Sequence, residues 1–233
     1  FLQGFGGNVF RNPPDDLMPA LDTPEAAEAA EFFAKLINSY GPPAAAGYTY
    51  DQVTEAMRAG RINYAPQNHV FLALLGEAGS KVTATSNFSM VPKGPKGRFP
   101  GIASHGWGIP AGAKNKAASW EFIKWALTKE MILRLVEKHG LGSVTRQSIM
   151  SSPAYKQKMV INGVDTGKLF LDTIALASQG YMKYRTVHVY PQANAQINQA
   201  IGRVVSGQMK AKESLALAQA NAVADLKRAG VKL

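Results

Sequence analysis

Four histidines, His69, His105, His139 and His188, are the side chains best suited to proton transfer or metal ligation, and their spacing serves neither. No two stand at the H-x-x-x-H separation that turns a pair of imidazoles toward one metal. His139 precedes Gly140 and belongs near the carbonyl end of a helix, where a cation is favoured. There is no G-x-S-x-G turn to raise a serine nucleophile and no G-x-x-x-x-G-K-[ST] loop to cradle phosphate. Residues 140–145 break the dinucleotide-binding spacing and follow a helix where that motif requires a strand. Asp15 and Asp16 pair two carboxylates, but within a Pro-rich loop that suits a solvated turn. The chain has no cysteine, which removes thiol nucleophiles, thiolate zinc sites, iron–sulfur clusters and disulfides together. No catalytic constellation is legible.

Polar and aromatic residues gather instead where strands are expected to give way to loops: Gln67, Asn68 and His69; His105 and Trp107; Tyr184, Arg185 and Tyr190. Aromatic faces stack on the apolar C–H faces of sugars, while amides, imidazoles and guanidinium groups bond their hydroxyls. In an open α/β sheet such loops line the ligand crevice. The grouping favours a small-molecule site over a catalytic one. The Pro/Gly loop 91–101 carries Lys93, Lys96 and Arg98, a set that suits either a phosphate or plain solvation.

These residues must be positioned by alternating elements. Gly4, Gly6, Gly7, Pro13, Pro14 and Pro19 break up the first twenty residues. A helix is expected from Asp22–Glu25, with Asp22 or Thr23 as cap, Pro24 in the first turn and a capping box from Asp22 to Glu25; Gly41 stops it. A shorter helix follows Asp51. Strands are expected over 61–65, 81–91 and 102–109, and a short helix over 69–76. One long helix, 115–139, is expected to bury Ala118, Phe122, Trp125 and Ala126, with Trp120 and Trp125 used for packing. The tail is helical over about 148–158, 166–178, 191–206 and 210–229. Helix and strand interleaved ahead of a helical tail give the fold class α/β.

With 233 residues the chain holds one large domain or two small ones and can bury a core. Charged residues are only 18% of it, which excludes a coiled coil or a charge-rich tail. The longest apolar run, Val70–Leu75, is far short of the roughly 20 residues of a spanning helix. The net charge of +10 makes a nucleic acid or anionic surface the alternative partner, and binding that falls steeply with salt is its discriminating sign. The cations are spread along the chain, so no nucleic acid is expected. An enzyme is the third reading, without an acid, base or nucleophile pair to carry it.

Several stretches, in order, resemble the later part of the family 1 extracellular solute-binding proteins, the maltose-binding-protein-like receptors of bacterial ABC sugar importers. They are the Gly-Gly segment Phe5–Phe10, the helix opening Asp22–Ala26 that runs to Phe32 and Phe33, and Ala56–Arg61 ahead of a strand. The turn Met90–Pro95 and the run Gly108–Ile123, ending Ala117-Ala118-Ser119-Trp120-Glu121-Phe122-Ile123, complete the set. The resemblance implies a periplasmic-binding-protein type II architecture, in which two lobes close on a ligand and dock on a membrane permease. It implies segments 1–101 and 151–233 in the C-terminal lobe and 102–150 on the side of an N-terminal lobe that is otherwise missing. The chain is accordingly expected to be a C-terminal fragment, or the ordered remainder of a longer precursor.

Carried over by position, the resemblance implies a ligand-binding set of Gln67, Asn68, His69, His105, Trp107, Arg146, Tyr184 and Arg185, with Trp107 as the stacking platform. Val144-Thr145-Arg146 has Val where relatives often have Pro, and Thr186 follows Arg185 where they have Pro. Asn194 stands where maltodextrin binders carry a stacking indole, which argues for a smaller or more polar ligand: a sugar, a polyol or an acidic sugar. The implied partners are that solute, the permease and the missing lobe. No cofactor, metal or catalysis is implied. The location is periplasmic or cell-surface, reached by a signal peptide absent from this chain.

Overall fold

A computed structural model of the protein describes residues 1–76 and 78–233. Among them the elements run α1 (Leu2–Phe5), β1 (Phe10–Asn12), β2 (Asp16–Pro19), α2 (Pro24–Tyr40), α3 (Tyr50–Arg58), α4 (Leu72–Leu75), α5 (Lys116–Ala126), α6 (Lys129–His139), α7 (Gln147–Met150), α8 (Pro153–Lys158), β3 (Val160–Ile161), β4 (Val164–Asp165), α9 (Thr166–Ala177), α10 (Tyr190–Val205) and α11 (Ala211–Arg228). Contacts divide the chain into two compact units. The first is Phe1–Tyr48, Val91–Gly101 and Leu176–Leu233; the second is Thr49–Met90 and Ile102–Ala175. These cuts differ from the expected segments 1–101, 102–150 and 151–233. Residues 49–90 join the second unit because His69 and the backbone at Thr83 and Ser86 are bonded to residues 162–166.

The first unit is built on helices with alanine faces. Thr23, in an extended conformation, caps α2 by accepting the Ala26 N–H at 3.2 Å, and Pro24 takes the first turn, where its missing N–H costs nothing. With Thr23 as the cap, no box forms from Asp22 to Glu25. Ala26, Ala29, Ala30 and Ala34 line the buried face of α2. Of these, Ala26 and Ala30 join a cluster with Ala200 of α10 and Ala211, Leu215, Ala218 and Ala222 of α11, a helical hairpin turned at 206–210. Gln219 of α11 accepts the Leu21 N–H at 2.9 Å and donates to the Pro19 carbonyl at 2.7 Å, which ties the end of β2 to the helices. A second cluster, Val9, Phe10, Val187, Val189, Ala193 and Leu226, closes the other end. Loop 91–101 is fastened to α1 by backbone: the Lys96 N–H donates to Gly4 O at 2.9 Å, and a β-carbon on Gly94 would stand 2.4 Å from that oxygen.

In the second unit Ile132, Val136, Val144, Ile149, Tyr155 and Met159 form the core. The single helix expected over 115–139 is broken into α5 and α6. Thr128 adopts an extended conformation and its hydroxyl accepts the Met131 N–H at 3.2 Å, starting a new helix where the periodicity continues unbroken. Ser152 and Pro153 split the expected 148–158 helix in the same way. The strands expected over 61–65, 81–91 and 102–109 do not form. Extended segments persist as strands only when a neighbour supplies a ladder, and among the described residues the strands pair only as β1 with β2 and β3 with β4. The β3–β4 hairpin turns on Asn162-Gly163, with Asn162 at φ 50° and Gly163 at φ 78°, as a two-residue turn requires. The Asn162 amide donates to Thr83 O at 2.6 Å and Ser86 O at 2.8 Å, anchoring residues 83–86.

Candidate functional site

Gln67, Asn68 and His69 lie on a turn that leads through residues 69–71 into α4, and each is used differently. The Gln67 amide donates to Thr54 Oγ1 at 3.1 Å and to Tyr50 O at 3.2 Å, while its oxygen accepts the Asn68 N–H at 2.9 Å. It therefore staples the turn to α3. Asn68 is exposed, and its side-chain oxygen accepts the Val70 N–H at 3.3 Å. The His69 ring stacks on Phe170 of α9, centroids 4.7 Å apart, with Nε2 3.0 Å from the Thr166 carbonyl. Burial pushes the imidazole below its ordinary pKa, and the bond to Thr166 partly opposes that shift. Of the three, Asn68 alone presents its side chain to solvent.

His105 and Trp107 lie on an exposed extended stretch. Trp107 stacks nearly parallel on Phe122 of α5, 5.6 Å away, and Phe122 leans on Trp125 at 5.7 Å. Residues 107–110 and Ser119, Phe122 and Ile123 line an open pocket of about 450 Å³. The expected burial of α5 is corrected here: none of its residues is buried, and Trp120 and Trp125 are 53% and 54% exposed. The described residues of the second unit cover only the Ser119, Ile123 and Ala126 strip, which remains half-buried. Arg146 donates from a terminal guanidinium nitrogen to Leu127 O at 2.8 Å, closing the carbonyl end of α5.

Tyr184 and Arg185 belong to the first unit, on a short turn over residues 183–185. Tyr184 is half-buried, edge-on to Tyr190 at 5.3 Å, and the Tyr190 hydroxyl donates to Asn194 Oδ1 at 3.0 Å. Burial, reinforced by Tyr190, raises the Tyr184 phenol above its usual pKa, while Arg185 pulls the other way. Arg185 is exposed. The eight expected residues thus fall six in the second unit and two in the first, and within the second unit 67–69, 105–107 and Arg146 are held by different elements. Sequence reasoning missed Phe122 as the backing of Trp107 and Tyr50 as an exposed ring stacked on Phe71 at 5.8 Å. It missed Asn162 too, although the Asn-Gly pair was a hairpin signal in plain view. Among the described residues no group of three or more His, Cys, Asp or Glu is placed to hold a metal, and no helix is long and apolar enough to cross a membrane.

Residues 1–132 match the family model described as bacterial extracellular solute-binding protein. The mannitol-binding protein of Pseudomonas aeruginosa is 21% identical over 227 residues, covering 91% of this chain and 51% of that protein. The maltotriose-binding protein of Pyrococcus abyssi is 29% identical over 175 residues, covering 69% of this chain and 35% of its own length. The chain therefore spans about half or less of the curated relatives it matches. Among solved structures, an ABC transporter solute-binding protein from Agrobacterium vitis S4 with bound D-mannitol superposes with a TM-score of 0.81 at 22% identity, over 98% of this chain and 57% of its own. One from Agrobacterium radiobacter K84 in complex with ribitol gives 0.77 at 24%, over 95% and 54%. The shared fold is the periplasmic-binding-protein type II architecture.

Proposed function

We propose that this chain, which belongs to the bacterial extracellular solute-binding protein family, is a non-catalytic receptor part that holds a polyol or small sugar for delivery to an ABC permease. The observation that carries the reading is the likeness to a D-mannitol-bound structure over 98% of the chain. Two local features agree with a small, hydroxyl-rich ligand. Trp107, backed by Phe122, offers an aromatic plane at a pocket edge, and Asn68 offers an amide open to solvent. Asn194, whose oxygen is engaged by the Tyr190 hydroxyl, is no platform for an oligosaccharide. Binding needs hydrogen bonds and stacking, strengthened when the site is shielded from water. We place the work in the periplasm or at the cell surface, and assign the open α5 face of Trp107, Phe122 and Trp125 to packing against a complementary lobe of the kind that longer relatives have room for.

The test is an NMR titration of the chain with D-mannitol, ribitol, maltose and a short DNA duplex at low salt. The expected result is movement of the Trp107 indole and Asn68 amide signals with a polyol, reduced in Trp107→Ala. Silence with every polyol and sugar, alongside a salt-sensitive response to DNA, would return the basic balance to first place.

A further inference from the structure

We propose that His69 is a positioning residue: its imidazole pins the turn that presents Asn68, and protonation of the ring releases that turn. The inference rests on the reading of Gln67–His69 as part of the solute site. The ring is held on three sides. Phe170 stacks on it at 4.7 Å. The backbone at Gly142 lies so near that a β-carbon there would stand 2.5 Å from the ring Cε1. Nε2 faces the Thr166 carbonyl at 3.0 Å, and a carbonyl can only accept, so Nε2 carries the proton.

That tautomer leaves Nδ1 as a bare acceptor, buried and without a hydrogen-bond partner among the described residues. A second proton would place a charge and a donor there with nothing to receive either, and burying such a group unpaired is costly. The other pin, the Gln67 amide on Thr54 and Tyr50, does not titrate. The turn therefore has one fixed tether and one that answers to pH, with Asn68 between them.

The neighbouring charged groups leave that logic in place. Tyr155 of α8 donates its hydroxyl to Gly142 O at 2.7 Å and, with a pKa pushed up to about 12, stays neutral. Lys158 of α8 reaches toward Gly140. At the end of β4, Asp165 accepts the Lys168 N–H of α9 at 2.8 Å, and the Lys168 ammonium pairs with Asp172 at 2.6 Å. His139, which ends α6, is the other imidazole flanking the 140–142 loop. Burial lowers the His69 pKa from its ordinary value. Neutral His69 therefore stabilises the folded state fully above the ordinary imidazole range. That contribution is lost as pH falls through the range toward the folded value.

The experiment is NMR on the full chain from about pH 8 to about pH 5, reading the His69 titration and the protection factors of the amides of 67–71. The expected result is a pKa below the ordinary imidazole value and a several-fold loss of protection across the same window. His69→Gln, which keeps a donor for Thr166 and cannot titrate, is expected to flatten the profile, and His69→Phe to lower protection at every pH. A His69 that titrates at or above the ordinary value overturns the proposal, as does an unchanged pH profile in His69→Gln, which would point to His139. D-mannitol separates the two readings. If the turn loosens as described while mannitol leaves residues 67–71 unmoved at every pH, the positioning role stands and the solute reading of this turn fails.

Discussion

Tyr155 shows how a single side chain can organise the second unit. Its ring is buried in the core while its hydroxyl crosses to the Gly142 carbonyl, so one residue fills space and fixes the loop that packs on His69. Burial, with the nearby Asp165 carboxylate, raises the phenol from its ordinary 10.0 to about 12. The folded state keeps the proton that the unfolded chain gives up. The linked stability is therefore intact below the ordinary value and lost as pH rises through it toward the folded one. Tyr155→Phe is expected to cost about 1 kcal/mol near neutral pH, the typical net worth of one hydrogen bond. The variant should also blunt the alkaline loss of stability. Urea melts of both proteins at neutral and alkaline pH check this, and parallel alkaline curves would show that the phenol is not the group being titrated.

At the scale of elements, the junction of α1 with loop 91–101 makes a sharper demand than its composition suggests. Gly94 meets the Gly4 backbone, where a β-carbon would clash at 2.4 Å, whereas a β-carbon on Gly4 itself finds ordinary contacts at 3.6 Å and beyond. Gly94→Ala should thus destabilise the first unit by about 1–3 kcal/mol, in the range of overpacked cores. Gly4→Ala should be nearly silent, and thermal melts that rank the two the other way would refute this packing. The helices of that unit were largely legible beforehand: Thr23-Pro24 and Gly41 mark the ends of α2, and the expected ranges 191–206 and 210–229 fall within a residue of α10 and α11. The break at Thr128 was not, because a hydrophobic period runs through it and only a capping hydroxyl interrupts it. The strands failed for a different reason. Propensity describes a segment, but a strand exists only with its neighbour, and no partner is visible in the residues of 61–65 or 102–109 themselves. The site suffered most from this: residue types around Gln67 and Trp107 could be picked out, while which of their polar atoms are already spent on Thr54, Tyr50 and Thr166 depends on folding.

For the whole molecule, charge and aromatic exposure tell different stories. Each unit holds 13 Lys and Arg against 8 Asp and Glu, so the net charge of +10 divides evenly and marks no single basic domain. The exposed indoles are concentrated. All three tryptophans of the chain lie within residues 107–125 and are more than half exposed. Their combined emission is expected near that of free indole and readily quenched by acrylamide. It should shift to the blue when a complementary lobe is supplied in the same chain. A blue, quencher-resistant emission from the chain alone would mean that copies already cover this face.

The turn at Asn162-Gly163 also has a lifetime. With no β-carbon on Gly163 to hinder it, that residue's backbone nitrogen can attack the Asn162 side-chain carbonyl, expel ammonia and leave a succinimide that water opens to aspartate or isoaspartate. The amide that now donates to Thr83 and Ser86 would become a carboxylate facing two carbonyl oxygens. The same bonds hold the side chain away from attack while the hairpin is formed. Chemical ageing of this chain should therefore begin at one turn, and proceed fastest in molecules that have already let the 83–86 segment go.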